Sequence, residues 1–192
     1  LYDYFSSYFH IKALYKANKI YVLSKFSKIE KDLFFGLKSI IAEPSLDLPQ
    51  PDKMKKSFDE LELNQKDLIV ISISRLASVK NIDLSIKAFF KSGLIDLGYK
   101  FYIYGIGPEQ ANLENLIKSY KFKTSPIKLA GFLPSEKMFE KLIKADIFIS
   151  LEYADFNLSV IEAIYAGSKV ITTKYTNTIN VNRRNIIKLE NL

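Results

Sequence analysis

Side chains able to do chemistry in this chain gather at three turns. The first is Ser74-Arg75-Leu76-Ala77-Ser78-Val79-Lys80-Asn81, directly after the apolar run LIVISI at 68–73. Arginine is scarce, three residues against 25 lysines, and one of the three stands in that turn. If the run is a strand of a parallel sheet, Arg75 and Lys80 lie outside its carboxyl end, where such sheets bind ligands. Two cations there, beside the positive end of the next helix, suit a diphosphate; the plainer alternative is a pair of solvated loop cations. The second turn is GIGPEQ at 105–110. Gly105 and Gly107 permit a tight turn with close approach of a ligand, and Pro108 starts the helix that follows. Gln110 stands where a dinucleotide fingerprint needs its third glycine, and no acid is placed to take a ribose, which excludes a nicotinamide cofactor. The third segment is SLEYADFNLSVIEAIYAG at 150–167. A strand ending at Ser150 and a helix beginning near Leu158 would aim the backbone N–H groups of Phe156, Asn157, Leu158 and Ser159 into the same cleft. Glu162, one turn further on, is either an exposed helix residue or a buried acceptor for hydroxyl groups.

Other chemistries lack their residues. Cysteine is absent, which removes thiolate catalysis, disulfides and Cys-ligated metal. The single histidine, His10, lies in an aromatic-rich helical stretch and reads as packed or solvated. No Asp-x-Asp triplet occurs, so a metal-dependent way of neutralising a diphosphate has no support, and no metal site is expected. No apolar run reaches the roughly 18–20 residues that span a bilayer. No signal peptide is visible, and a start at Leu1 rather than Met suggests a piece of something longer.

The formal charge is +7 over 192 residues, which raises the question of nucleic acid. Residues 1–42 and 169–192 each carry a net +4, while 43–168 hold 16 bases and 17 acids. The excess belongs to the flanks, so a continuous basic recognition face is not expected. Hydrophobic residues make up 48% and aromatics 14%, enough for a packed core, which excludes a disordered or collagen-like chain.

The elements that must hold these turns follow from periodicity. Apolar, β-branched strands at 68–73, 100–105, 127–131, 146–150 and 169–173 alternate with amphipathic helices near 82–93, 110–120, 134–145 and 158–167. That alternation predicts an α/β fold with a Rossmann-like, doubly wound parallel sheet. Ahead of it, KIYVLS at 19–24 and SIIAEP at 39–44 read as strands around a Lys-rich helix. AEPSLDLPQPD at 42–52 reads as a linker, so residues 1–48 form a small α/β segment and 49–192 the larger domain.

In order and spacing, SRLASVKN (74–81), GIGPE (105–109), LAGFLPSEKM (129–138), ADIFIS (145–150) and ADFNLSVIEAIYAGSKVI (154–171) resemble the C-terminal, donor-binding half of GT-B glycosyltransferases of retaining family 4. IYVLSKFSK and IIAEPSLD are similar to the last segments of that family's N-terminal domain, which makes 1–48 its remnant. The resemblance implies transfer of a sugar from a nucleotide-diphosphate sugar to a glycan or lipid-linked acceptor, without metal or other cofactor. It implies that Arg75 and Lys80 hold the donor diphosphate and that Glu162, the second acid of the Glu-x7-Glu motif, binds the ribose. Residues 156–159 would cradle phosphate and sugar, and Gly105, Gly107 and Gly131 would border the nucleotide.

The first motif acid is replaced by Ala154; Asp155 and Glu152 are near enough to substitute for it. Asn157 replaces a family glycine and tolerates a positive φ. The resemblance further implies a cytoplasmic location and, through lipid-linked acceptors, leaves open peripheral contact at the inner face of a membrane, while the charge distribution leads to the expectation of no nucleic-acid partner. Two other functions compete: a nucleotide-sugar-binding module impaired in catalysis, and a binder of anionic surfaces that uses the Lys-rich flanks.

Overall fold

Apolar β-branched runs of four to six residues bury both faces of a strand when helices cover each side. In the computed structural model, which describes residues 10–42, 68–152, 156–174, 176 and 186–189, the runs from Leu68 onward do this. The described residues divide into two units, one within 1–47 and the other within 48–192.

The first unit holds a helical stretch at 10–16, then β1 (Ile20–Val22), α1 (Lys25–Phe35) and β2 (Ser39–Ile41). β1 and β2 pair in parallel, with Ile20 opposite Ser39. The hydroxyl of Ser24 caps α1 by accepting the Ser27 N–H, and Gly36 ends the helix at φ +63°. Asp32 ties helix to strand: it accepts Lys28 Nζ at 2.6 Å, the Ser39 N–H at 3.0 Å and the Ser39 hydroxyl at 2.8 Å. Those donors, Lys28 first, lower its pKa to about 2. The strand expected at 39–44 ends at Ile41, and the rest of the linker beyond Ala42 lies outside the described residues.

The second unit runs β3 (Ile69–Ile73), a 3-10 turn (Ser78–Lys80), α2 (Ile82–Lys91), β4 (Lys100–Tyr104), α3 (Gln110–Ser119), β5 (Ile127–Gly131), α4 (Ser135–Lys144), β6 (Ile147–Ser150), α5 (Leu158–Tyr165), β7 (Lys169–Thr173) and β8 (Ile186–Leu189). All six strands are parallel, in the order β5-β4-β3-β6-β7-β8. Strand alternation sends neighbours to opposite faces. Val70 and Ile149 pack with Ile86 and Phe89 of α2 and Leu113 of α3, whereas Ile71 and Phe148 pack with Leu142 of α4 and Val160 and Ala163 of α5. Two helices therefore cover each face, and the sheet is doubly wound.

β8 falls in a stretch that reads from sequence only as a basic flank. It is a four-residue edge strand with Ile187 largely exposed, so its pattern carries little burial signal. α5 stops at Tyr165, two residues short of the expected end, because the chain turns at Ala166 and Gly167, the latter at φ +91°. Among the described residues no helix is long and apolar enough to cross a membrane.

The strand order reverses direction between β3 and β6. In an open α/β sheet the crevice at such a reversal, beyond the carboxyl ends of the strands, is where ligands bind. The β3 turn and the 150–159 segment both open there.

Candidate functional site

The β3 turn is held in place before any side chain acts. Ser74 N–H donates to the Tyr104 carbonyl at 3.1 Å, Leu76 N–H to the Ile106 carbonyl at 3.0 Å, and Glu109 N–H returns to the Leu76 carbonyl at 3.0 Å. These bonds extend the β3–β4 ladder into the loops, and they bring the two backbones together at Gly105 and Gly107. A Cβ on Gly105 would lie 1.8 Å from the Ser74 carbonyl oxygen, and one on Gly107 would lie 2.3 Å from that of Leu76. Both positions demand glycine because of the neighbouring loop, a reason that the motif does not disclose. Gly105 N–H also donates to the Gly131 carbonyl at 2.7 Å, which joins the turns after β4 and β5. Pro108 lies in the turn before α3 rather than in its first helical turn.

Arg75 projects from the turn, exposed and without an ion pair among the described residues. With Ile73, Ser74, Tyr104, Gly105, Ile106, Phe132, Leu133 and Ser159 it lines a cavity of about 310 Å³. This cavity brings together the ends of β3 and β4, the loop after β5 and the first turn of α5. Its rim carries Phe132, 70% exposed, and Ile106, 56% exposed. Neither side chain stands out from sequence; an aromatic followed by Leu-Pro just past a strand is the available signal.

Lys80 behaves differently from Arg75. Its ammonium forms an ion pair with Glu152, a carboxylate only 5% exposed. The Asn157 side-chain amide donates to the other oxygen of the same carboxylate and to Ser150 Oγ at 3.0 Å. Asn157 is the N-cap of α5, with its Oδ1 accepting the Val160 N–H at 3.3 Å. Its φ is −124°, so the positive φ expected of a glycine replacement does not arise; the side chain is accounted for by capping. From sequence, Glu152 is a candidate to take over from the acid missing at Ala154. Each of its oxygens accepts a bond within the protein and the residue is buried, so it faces the interior rather than open solvent.

Capping leaves α5 with two orphan amides, those of Leu158 and Ser159, on which no acceptor is placed among the described residues. Glu162 follows on the next turn, half-buried, and burial raises its pKa above the ordinary glutamate value. It has no ion pair among the described residues, which places it between the two readings open from sequence.

Of the residues read from sequence, Arg75, Gly105 and Ser159 thus share one cavity, while Lys80 and Asn157 meet at Glu152 beside it on the chain. Gly107 and Gly131 shape the turns, the latter at φ +74°. Phe156 makes an isolated bridge, and Asp155 lies outside the described residues. No group of three or more His, Cys, Asp or Glu placed to hold a metal occurs among the described residues.

Known proteins resemble this chain in sequence and in fold. The chain is 28% identical over 116 residues to WcaL of Escherichia coli K12, a protein named as a colanic acid biosynthesis glycosyltransferase; the match covers 57% of this chain and 28% of WcaL. The chain therefore spans little more than a quarter of that relative's length. The crystal structure of a mutant of S. aureus TarM, determined with fondaparinux, α-GlcNAc-glycerol and UDP, superposes with a TM-score of 0.75 at 22% identity, over 97% of this chain and 36% of TarM. The pneumococcal O-GlcNAc transferase GtfA, solved with UDP and GlcNAc, gives a TM-score of 0.72 at 19% identity, over 95% of this chain and 36% of GtfA. At those identities the two structures establish the fold. The model of the family described as glycosyl transferases group 1 matches residues 53–188, nearly all of the larger unit, and the chain belongs to that family.

Proposed function

We propose that residues 49–192 bind a nucleotide-diphosphate sugar and that the protein transfers the sugar to a glycan or lipid-linked acceptor. The observation that carries this is one cavity at the strand-order reversal lined both by Arg75, which has no ion pair among the described residues, and by Ser159 in the first turn of α5. A departing diphosphate accumulates negative charge, and fixed cations with helix N-terminal amides stabilise that charge where it forms. Arg75, Lys80 and the amides of Leu158 and Ser159 take this part, so no divalent metal is needed; chelator should leave donor binding unchanged. Glu162 accepts the ribose hydroxyls. The bond from the anomeric carbon to the diphosphate breaks as the acceptor oxygen attacks on the same face, and the acceptor's proton passes to the departing phosphate. That stereochemistry, retention, follows from the likeness to family 4.

Residues 1–48 are proposed as the end of the acceptor-side domain. A cytoplasmic protein working at the inner face of a membrane fits a lipid-linked acceptor. UDP in the TarM and GtfA crystals makes a uridine diphosphate sugar the first donor to try.

Isothermal calorimetry with UDP- and GDP-sugars tests donor binding. Wild type should bind one series, and Arg75→Ala should lose about ten- to a hundredfold in affinity, the worth of a charged hydrogen bond. Binding by neither protein would sink the proposal. Ala154, in place of the first motif acid, favours a second reading: a module that binds nucleotide sugar without efficient transfer. Tight donor binding with no transfer by the full-length protein would select it.

A further inference from the structure

Lys80 and Asn157 come from elements on either side of the strand-order reversal, and both end on one buried carboxylate. The segment carrying Glu152 is anchored from β7 and from the turn after β3. Thr173 Oγ1 at the end of β7 donates to the Glu152 carbonyl at 3.0 Å, and Asn81 Nδ2 donates to the Leu151 carbonyl at 2.8 Å. A carboxylate held this way is fixed in the interior, and a buried charge without a partner is strongly unfavourable. Lys80 is the cation paired with it, yet the Lys80 side chain remains 30% exposed against 7% for Glu152. An ammonium has three N–H donors, so a partly exposed one can keep Glu152 and still turn toward an anion in the crevice.

Resting on the assignment of Lys80 to the donor diphosphate, we propose that Glu152 is a counter-ion built into the donor site. It is a positioning residue: it holds Lys80 before the donor binds and competes with the diphosphate for it afterwards. The carboxylate thereby lowers the affinity for the diphosphate and speeds its departure once the sugar has gone. Glu152 is buried and each of its oxygens already accepts a bond from the protein, so it acts on the donor through Lys80.

Glu152→Gln preserves size and one acceptor oxygen while removing the charge. UDP and GDP are titrated calorimetrically into wild type, Glu152→Gln, Lys80→Ala and the double variant, with thermal unfolding recorded for each. Glu152→Gln is expected to bind the diphosphate about tenfold tighter, the effect of freeing Lys80 from one partly screened competing counter-charge. That gain should vanish when Lys80 is also Ala, and stopped-flow release of nucleotide should slow in Glu152→Gln. A residue with a purely structural role would weaken binding or leave it unchanged, whatever stands at 80; either result overturns the inference. Should Glu152→Gln fail to fold, Glu152→Asp withdraws the charge by one methylene and should bind more tightly than wild type; equal or weaker binding again overturns it. A wild type that binds neither nucleotide overturns the donor-site assignment itself, whereas binding without tightening overturns only the counter-ion.

Discussion

Glu162 is half-buried one turn into α5, and burial alone raises its pKa. Desolvation penalises the ionised form, so protonation begins at a higher pH than for an exposed glutamate. If the ionised carboxylate accepts the ribose hydroxyls, nucleotide affinity falls as pH drops through the raised pKa. Folding moves the other way. A carboxyl whose folded pKa lies above its unfolded value costs stability once ionised, and acidification relieves that cost. Calorimetry at stepped pH should show affinity declining toward acid in wild type and a flatter profile in Glu162→Gln; parallel profiles would remove Glu162 from the site. Arg75 and Glu162 are readable as candidates because their residue types stand out against their surroundings, one among lysines and the other in an apolar helix. The commitment of Lys80 is not readable, since its partner lies 72 positions away.

The turns after β3 and β4 show how an element can be legible while its cause is hidden. GIGPE announces a tight turn, and glycine there suggests room for a ligand. In the structure the space a Cβ would need is taken by the 74–76 backbone, while Gly105 also lines the cavity. Gly107→Ala must therefore push two loops apart, and Gly105→Ala adds an unfavourable φ of +142°. Each substitution is expected to cost about 2–3 kcal/mol or more in urea unfolding, and to weaken UDP binding through displacement of Arg75. Full stability in either variant would contradict the close approach. In α5, the replacement of a family glycine by Asn157 looks from sequence like a conformational concession. It is a cap, bonded to Ser150, Glu152 and the Val160 N–H, and it selects which helix amides stay open.

Both core clusters, all six parallel strands of the large sheet and every candidate site residue lie within 48–192. This part buries helices on both faces of a sheet, which is what an autonomous domain requires. Expressed by itself, 48–192 is expected to unfold cooperatively and to keep the UDP affinity of the whole chain within about twofold, since every candidate site residue belongs to it. Loss of binding on removal of 1–47 would show that the first unit contributes to the donor site. The near-neutral balance of residues 43–168, against +4 on each flank, also means that binding should depend on salt far less steeply than nucleic-acid binding does.

Alternation of apolar runs with amphipathic stretches follows from burial on local faces, and local burial is written in consecutive residues. For that reason the element order, the doubly wound sheet and the turns bearing Arg75, Lys80 and the α5 amides can be read from the chain, with errors of one to three residues at element ends. Pairing between distant elements has no such local signature. The reversal between β3 and β6, the edge strand β8, the contact that makes Gly105 and Gly107 obligatory, and the capture of Lys80 by Glu152 each depend on backbone segments meeting across the sheet. Only folding brings those segments together, and whether a charge is free or paired is decided there.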